Sequence, residues 1–455
     1  MRTIEIIHEL GWEQLPEVVQ NQARRCLLDT LGAAAGGRQT EMSGIIHNFA
    51  ASVYAGSGAQ LWFDGRTASP PGAALANAMT IDALDIHDGY TLTKGHAGAA
   101  LVPAVLATVG LNFQARVAGK ELLASLVIGY EIALRAGLAL HATAGDYHTS
   151  GAWNALGCAA VTARRLGLDV ARTYHALGIA EYYGPRSPMM RGIDYPTMVK
   201  DGSGWGAMAG VSAGLMAGNG FTGAPALTVT GADVADIWAD LGDRWLIMEQ
   251  YFKPYAVCRW AQPAIVGALA LQQKHDIYPD DIRRIRVFTF HEASRLTCRR
   301  PQTTEEAQYS LPFPVAAALV FGRVGPAEVN GAALRDPAVL SLSQRLEMVE
   351  EPALSARFPA RRLARVQVET RDGCLFDSGE VEATWEAGSP PTDDELCQKF
   401  RWLARTVLAE ARVAELEEAI WGCASLVDAA TLLMLLAPAP ENVKGENGLS
   451  RPQEH

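Results

Sequence analysis

At 455 residues the chain exceeds what a single hydrophobic core usually holds, so two domains are expected. Half of it is apolar, aromatics make up only 7%, and the abundant Gly and Ala favour closely packed helices over a large sheet. A net charge of -11 lacks the basic footprint of a nucleic-acid binder, although local clusters rather than the average decide whether an anionic substrate is taken.

The segment from Pro16 to Gly37 reads as a helix, with Val19, Ala23, Cys26, Leu27 and Leu31 in an apolar stripe and Pro16 in its first turn. Helical patterns recur at 72–86, 97–110, 119–142, 151–166, 169–182, 204–217, 232–241 and 261–274, separated by Gly- and Pro-marked breaks. Then the period changes. Ile282 to Phe290 alternates like a strand, and 364–370 and 375–383 flank Arg371-Asp372-Gly373, a tight hairpin signal. Helical candidates near 311–322 and 335–348 lie between these strands. After Pro390-Pro391 the pattern is helical again, with Thr392 and Glu395 forming a capping box.

The fold expected is mainly α. A large helical domain is built from both chain ends (1–268 and 392–437), with a smaller α/β domain inserted at 269–391 and a disordered polar tail at 438–455. No apolar run reaches about 18 residues without polar interruption, so no membrane span is expected. The start of the chain lacks a signal-peptide layout. The seven cysteines contain no C-x-x-C pair, so a reduced compartment without a structural metal is expected, with a cytoplasmic location.

Asp82 to Ala104 is the most informative stretch. Between two apolar runs it packs three carboxylates (Asp82, Asp85, Asp88), two imidazoles (His87, His96) and the Lys94 ammonium. Burying such groups is costly unless they pair or bind something. A helix would put Asp85 and Asp88 on one face, and His96 precedes another helix, where backbone N–H groups can hold an anion. Helix capping by Asp88 and a solvated His96 is the plain alternative.

His148, preceded by Tyr147, stands before a further helix that Thr149 or Ser150 can cap, so capping does not require the histidine. Lys200, with Arg191 upstream, sits in a Gly-rich approach to a helix but in no P-loop order. Lys253 and Arg259 flank Tyr255 and Cys258 where the helical half gives way to the α/β unit, and Arg259 can bind a carboxylate bidentately. Cys258 reads as packing or as a weak donor in the site, Glu131 and Arg135 as a structural ion pair, and Tyr309 as either a cleft residue or part of a proline-flanked helix entry.

In this order the pieces resemble the MmgE/PrpD family. Asp85-Ile-His-Asp-Gly with His96-Ala-Gly is similar to its first motif. Gly129-Tyr130-Glu131, His148-Thr149-Ser150-Gly151, Lys200, the run from Lys253 to Arg259, and Tyr309 to Phe313 match later ones. His87 and Gly89 stand where the family usually has Asp and Thr, and Trp260 and Gln262 replace a His-Thr-His region.

The resemblance implies a helical domain with an α/β lid, no cofactor or metal, a homodimer, and a small polycarboxylate substrate, with no nucleic acid or membrane as partner. It places Asp85, His96, His148 and Lys200 on catalytic positions and Lys253 on the substrate side. Arg259, Arg191, Tyr147 and Tyr309 complete the expected binding set. Within the family the chain as a whole resembles the iminodisuccinate-epimerising branch. That implies proton removal alpha to a carboxylate and its return to the opposite face, with His96 and His148 as the pair of carriers. The alternative is a hydro-lyase of the 2-methylcitrate dehydratase kind. A helical interaction scaffold without catalysis would need a repeat period and would lack such an acid–base set.

Overall fold

The computed structural model describes residues 2–111 and 116–438; of the expected tail, 439–455 lies outside the described residues. Helices dominate, and most begin and end within a few residues of the expected limits. Glu17–Gly37 starts with Pro16 at its N-cap, and its whole apolar stripe is buried. Pro70–Asp82, Gly98–Thr108, Gly119–Thr143, Gly151–Leu166, Val170–Tyr183 and Ser203–Gly218 follow. Gly206 and Gly210 face the backbone of Gly151 and Ala155, where any side chain would collide, so small residues set the spacing of these two helices.

Four differences stand out. The helix expected over 72–86 stops at Asp82, because Asp85 turns into the left-handed region at φ 48°. The one expected at 232–241 breaks into the turns Ala232–Val234 and Ala235–Trp238. Arg2–Glu9 and Glu41–Val53 are additional helices, the second capped by Thr40, whose side chain accepts from the Ser43 N–H. The end of the pattern at 335–348 is a strand, Leu346–Glu350.

Gly119–Thr143 is long and apolar enough to cross a membrane by length and composition, but 94% of its most apolar stretch is buried inside the protein. Its two central charges explain that placement. Arg135 and Glu131 form a fully buried pair, Glu131 accepts the N–H groups of Leu246 and Ile247, and Arg135 also reaches Asp240.

One four-stranded sheet runs in the order Leu346–Glu350, Ile282–Thr289, Leu363–Thr370, Leu375–Glu382. The first pair is parallel and the others antiparallel, and Thr370 closes the expected Asp-Gly hairpin onto Cys374. Gln262–His275 crosses the domain boundary expected at 268/269, and its Gly267 lies against Val366 and Val381 of the sheet. Further on, the Thr392–Glu395 capping box opens Asp393–Ala404. That helix lies on Glu17–Gly37, with Lys399 Nζ 2.5 Å from Asp29 Oδ1 and 2.6 Å from the Ile86 carbonyl oxygen.

Candidate active site

A two-residue antiparallel ladder, Gly89–Tyr90 with Gln250–Tyr251, draws the 83–96 loop against the segment that carries Lys253. Gly89 has no room for a side chain: a Cβ there would stand 2.5 Å from Tyr251 Oη and 2.7 Å from His96 Nδ1. Asp85, Lys94 and Lys200 all hold positive φ without being glycine, a conformation that costs about 1–3 kcal/mol each and clusters at functional sites.

His96 is fixed through its backbone. Its N–H donates to Ser150 Oγ at 2.9 Å, and its carbonyl accepts from Asn154 at 2.8 Å. Its Nδ1 lies 2.5 Å from the carbonyl oxygen of Asp88. A carbonyl only accepts, so Nδ1 carries the proton and, in the neutral ring, Nε2 has the free lone pair. Nε2 stands 3.7 Å from Asp85 Oδ1, beyond hydrogen-bond reach. Burial, then the Lys253 and His87 charges, hold the imidazole well below its ordinary pKa, so the ring is neutral at pH 7.

Carboxylate and amine side chains crowd beside it. Fully buried, Lys253 donates to the backbone carbonyl of Asp85 at 2.9 Å and to its carboxylate. Burial disfavours its charge, but Asp85 and Tyr251 outweigh that and its pKa is raised. Lys200 donates to Gln308 Oε1 and lies 5.0 Å over the Tyr309 ring, and burial lowers its pKa. Asp201 accepts from the Ser150 hydroxyl; burial and then the charge of Asp82 push its carboxyl up to about 7. Its N–H is 3.3 Å from Asp82 Oδ2, and Asp82 Oδ1 is 3.2 Å from His87 Nε2.

These groups border a small cavity of about 20 Å³. Of the residues expected from sequence, Asp85, His96, Tyr147, Arg259 and Tyr309 line it, and Lys200 and Lys253 stand directly behind Tyr309 and Asp85. Arg259 is largely committed: it bonds Phe252, Gln262 and Thr384, pairs with Glu386 at 2.8 Å and stacks on Tyr251 at 4.6 Å.

His148 and Arg191 are not among the lining residues. His148 Nδ1 bonds the carbonyl of Asp146, and the backbone bridge to Pro188 holds it beside the cavity wall formed by Tyr147 and Met189. Arg191 is exposed, on a short helix whose other side, Met189 and Ile193, faces the cavity. Nor do Asp85 and Asp88 share a face. With the helix over at Asp82, Asp88 turns away to accept from the Tyr130 hydroxyl at 2.8 Å.

Sequence reasoning gave no role to Lys94, Asp201, Tyr251 or Arg362, all of which line the cavity. Adjacency could have flagged the first three, since Lys94 shares the charge-dense stretch, Asp201 follows Lys200 and Tyr251 precedes Lys253 by two. Arg362 has no local signal; it reaches the Thr91 carbonyl at 2.9 Å from 271 residues away. Trp260, in place of the family's histidine region, is cavity wall and packs edge-on to Phe290 and Phe358, while Gln262 ties Arg259 to the Tyr255 and Val257 carbonyls. Burial pushes the Cys258 thiol up to about 12, which fits packing rather than nucleophilic attack. Among the described residues no group of three or more His, Cys, Asp or Glu is placed to hold a metal ion.

A neutral imidazole with its lone pair toward a small chamber, ringed by cations and a carboxyl that burial holds above the usual carboxylate range, can move protons on a bound anion. The chain is 24% identical to a human cis-aconitate decarboxylase, covering 96% of this chain and 94% of that protein. Identity is 23% to a cis-aconitate decarboxylase of Aspergillus terreus, over 95% of each. A cis-aconitate decarboxylase-like protein of Aspergillus oryzae, oryM, is 25% identical over 82% of this chain and 83% of its own length. Residues 2–239 match the MmgE/PrpD N-terminal domain and residues 255–422 its C-terminal domain, so the chain belongs to the MmgE/PrpD family.

Proposed function

We propose that this protein is a lyase acting on a small tricarboxylate, with His96 as the group that exchanges a proton with the carbon alpha to a carboxylate. The observation that carries this reading is the orientation of His96: Nδ1 is tied to a backbone carbonyl, and Nε2 faces a chamber whose wall is rich in cations. The names of the relatives, decarboxylases of a tricarboxylate, support the substrate class.

In the dehydrating direction, Nε2 of His96 takes the alpha proton. The electron pair passes into the adjacent carboxylate, whose extra charge Lys200 and Lys253 stabilise, and then forms the double bond as hydroxide leaves the neighbouring carbon. Asp201, with its carboxyl pushed up to about 7, supplies the proton that lets hydroxide depart as water. In a decarboxylation the electron pair of the breaking C–C bond stays on carbon as carbon dioxide departs, and His96 passes to that carbon a proton taken up from solvent. The α/β unit, which contributes Tyr309 and Arg362 to the wall, serves as a lid.

Of the His96 and His148 pair expected to serve opposite faces of the carbon in epimerisation, only His96 lines the cavity, and the relatives' names are those of tricarboxylate decarboxylases. This favours the lyase side over the epimerase expected from sequence. The test is to offer cis-aconitate and 2-methylcitrate separately, following gain or loss of the conjugated double bond and release of carbon dioxide. Conversion of at least one, abolished in His96→Gln, supports the reading; conversion of neither overturns it.

A further inference from the structure

The cavity's cations differ in what balances them. Arg259 has Glu386, and Lys253 has Asp85. Lys200 donates to Gln308 and feels Asp85, Asp82 and Glu305. Arg362 and Lys94 make no ion pair among the described residues. Arg362 is 3% exposed, its Nη2 donates to the Thr91 carbonyl at 2.9 Å, and its guanidinium lies 5.3 Å from the centre of the Tyr251 ring. Its Nε is buried with no hydrogen-bond partner. Lys94, held half-buried in a left-handed conformation, places its ammonium 4.5 Å over the Tyr147 ring.

Burial disfavours the guanidinium's charge, and Tyr251 and the more distant Glu386 offset that, but its contacts are one carbonyl and an aromatic face, with its Nε left unbonded and no carboxylate within ion-pair reach among the described residues. A cation–π contact returns only part of what desolvation removes. Lys94 and Arg362 also repel one another, and burial together with Arg362 lowers the pKa of Lys94. Neither contact, the Thr91 carbonyl for Arg362 or the Tyr147 ring for Lys94, neutralises a charge, and an anion between the two cations would satisfy both. They also stand apart from the cluster of Asp85, Lys253 and Lys200. Tyr251 lies between, its ring 6.2 Å from that of His96 on one side and under Arg362 on the other.

We infer that Arg362 and Lys94 form the anchor for a substrate carboxylate remote from the carbon served by His96, and that this anchor selects tricarboxylates over dicarboxylates. The inference rests on the lyase reading for the substrate class alone; that neither cation makes an ion pair among the described residues is independent of the reaction. An arginine fork and a lysine point charge suit one carboxylate, taken end-on by the ammonium and edge-on by the guanidinium. Arg362 belongs to the α/β unit and Thr91 and Lys94 to the loop of the helical part, so a carboxylate bound here would also hold the two sides of the chamber together.

The test is calorimetric titration of the full chain with two unreactive probes, tricarballylate and glutarate, which share a carbon backbone length and differ by one carboxylate. Wild type should bind tricarballylate more tightly than glutarate by about tenfold or more, the scale of one charge-assisted hydrogen-bonded pair. Arg362→Gln and Lys94→Met should each collapse that ratio toward one by weakening tricarballylate while leaving glutarate nearly unchanged. Arg362→Lys should restore part of the preference. Loss of a merely structural tether to Thr91 would weaken both probes together, and that result, or an unchanged ratio in both variants, overturns the anchor. If wild type prefers tricarballylate and the variants keep that preference, the anchor fails while the lyase reading stands. If wild type binds neither probe and converts no tricarboxylate, the lyase reading fails and the anchor with it. Should Arg362→Gln fail to fold, Lys94→Met, on the helical side, decides the same question.

Discussion

His96 Nδ1 lies 2.5 Å from the Asp88 carbonyl oxygen, while Nε2 of the same ring stands 3.7 Å from the Asp85 carboxylate. The ring is therefore held by backbone on one side and open on the other. A backbone partner does not titrate, so the tautomer is fixed over the whole working pH range, and Nε2 is the one basic nitrogen in the neutral ring. His96→Gln is expected to lower turnover at least about a hundredfold with the fold intact, as for a lost acid–base group. Near-native turnover would remove His96 from the mechanism.

The same ring sets the acid limb of the rate profile. Because its pKa is depressed well below 6.5, by burial first and the Lys253 charge next, the base form persists into more acidic solution than an ordinary histidine allows. In a profile of kcat/KM against pH, the acid limb should fall below the usual histidine range. A limb at or above it would contradict the burial argument.

Lys253 and Asp85 neutralise one another with almost no solvent contact. Lys253→Met leaves a buried carboxylate unpaired and should destabilise the protein by about 3–5 kcal/mol. Adding Asp85→Asn should recover part of that loss, although neither variant should be active. Denaturant unfolding of Lys253→Met, Asp85→Asn and the double variant reads the coupling; strictly additive losses would argue against a direct pair.

Asp88 gives a stability signature of opposite sense. Burial, then the charge of Asp29, pushes its carboxyl from 3.8 up to about 7. The folded state keeps a proton that the unfolded chain has released, so this group's contribution falls as pH rises from about 4 to about 7 and is level above. Asp88→Asn abolishes that decline, and its stability relative to wild type should rise across the same window. A difference that stays constant with pH would show that Asp88 is not buried in its acid form.

Arg135 belongs to the architecture rather than to the chemistry. Arg135→Met leaves Glu131 buried with only the N–H groups of Leu246 and Ile247, and should cost about 3–5 kcal/mol of stability. The folded fraction should turn over substrate as wild type does. A specific loss of kcat at full folding would tie this pair to the site.

Helix positions were legible because the apolar period and the Gly and Pro breaks act locally, as in Glu17–Gly37 and Gly151–Leu166. The Thr392–Glu395 capping box and the Asp-Gly hairpin were legible for the same reason. What escaped depends on distant contacts. The helix after Pro70 ends at Asp82 because Asp85 must turn to meet Lys253, 168 residues later, and no local pattern encodes that. Arg362 is invisible to spacing for the same reason, and Arg191 was misplaced because a six-residue helix presents one side to the chamber and the other to solvent. His96, Asp85 and Lys253 were found because charged residues in an apolar context have few reasons to be there.

The central claim is that this chamber performs lyase chemistry on a tricarboxylate through His96. Proton NMR in deuterium oxide, with cis-aconitate, 2-methylcitrate and one iminodisuccinate stereoisomer offered in separate samples, tests it most directly. The account predicts that a tricarboxylate is consumed, by loss of carbon dioxide or by gain or loss of water, that deuterium enters at carbon wherever the reaction delivers a proton there, and that His96→Gln abolishes this. Inert tricarboxylates beside interconverting iminodisuccinate isomers, deuterated alpha to a carboxylate and without fumarate, would contradict it and make the protein an epimerase.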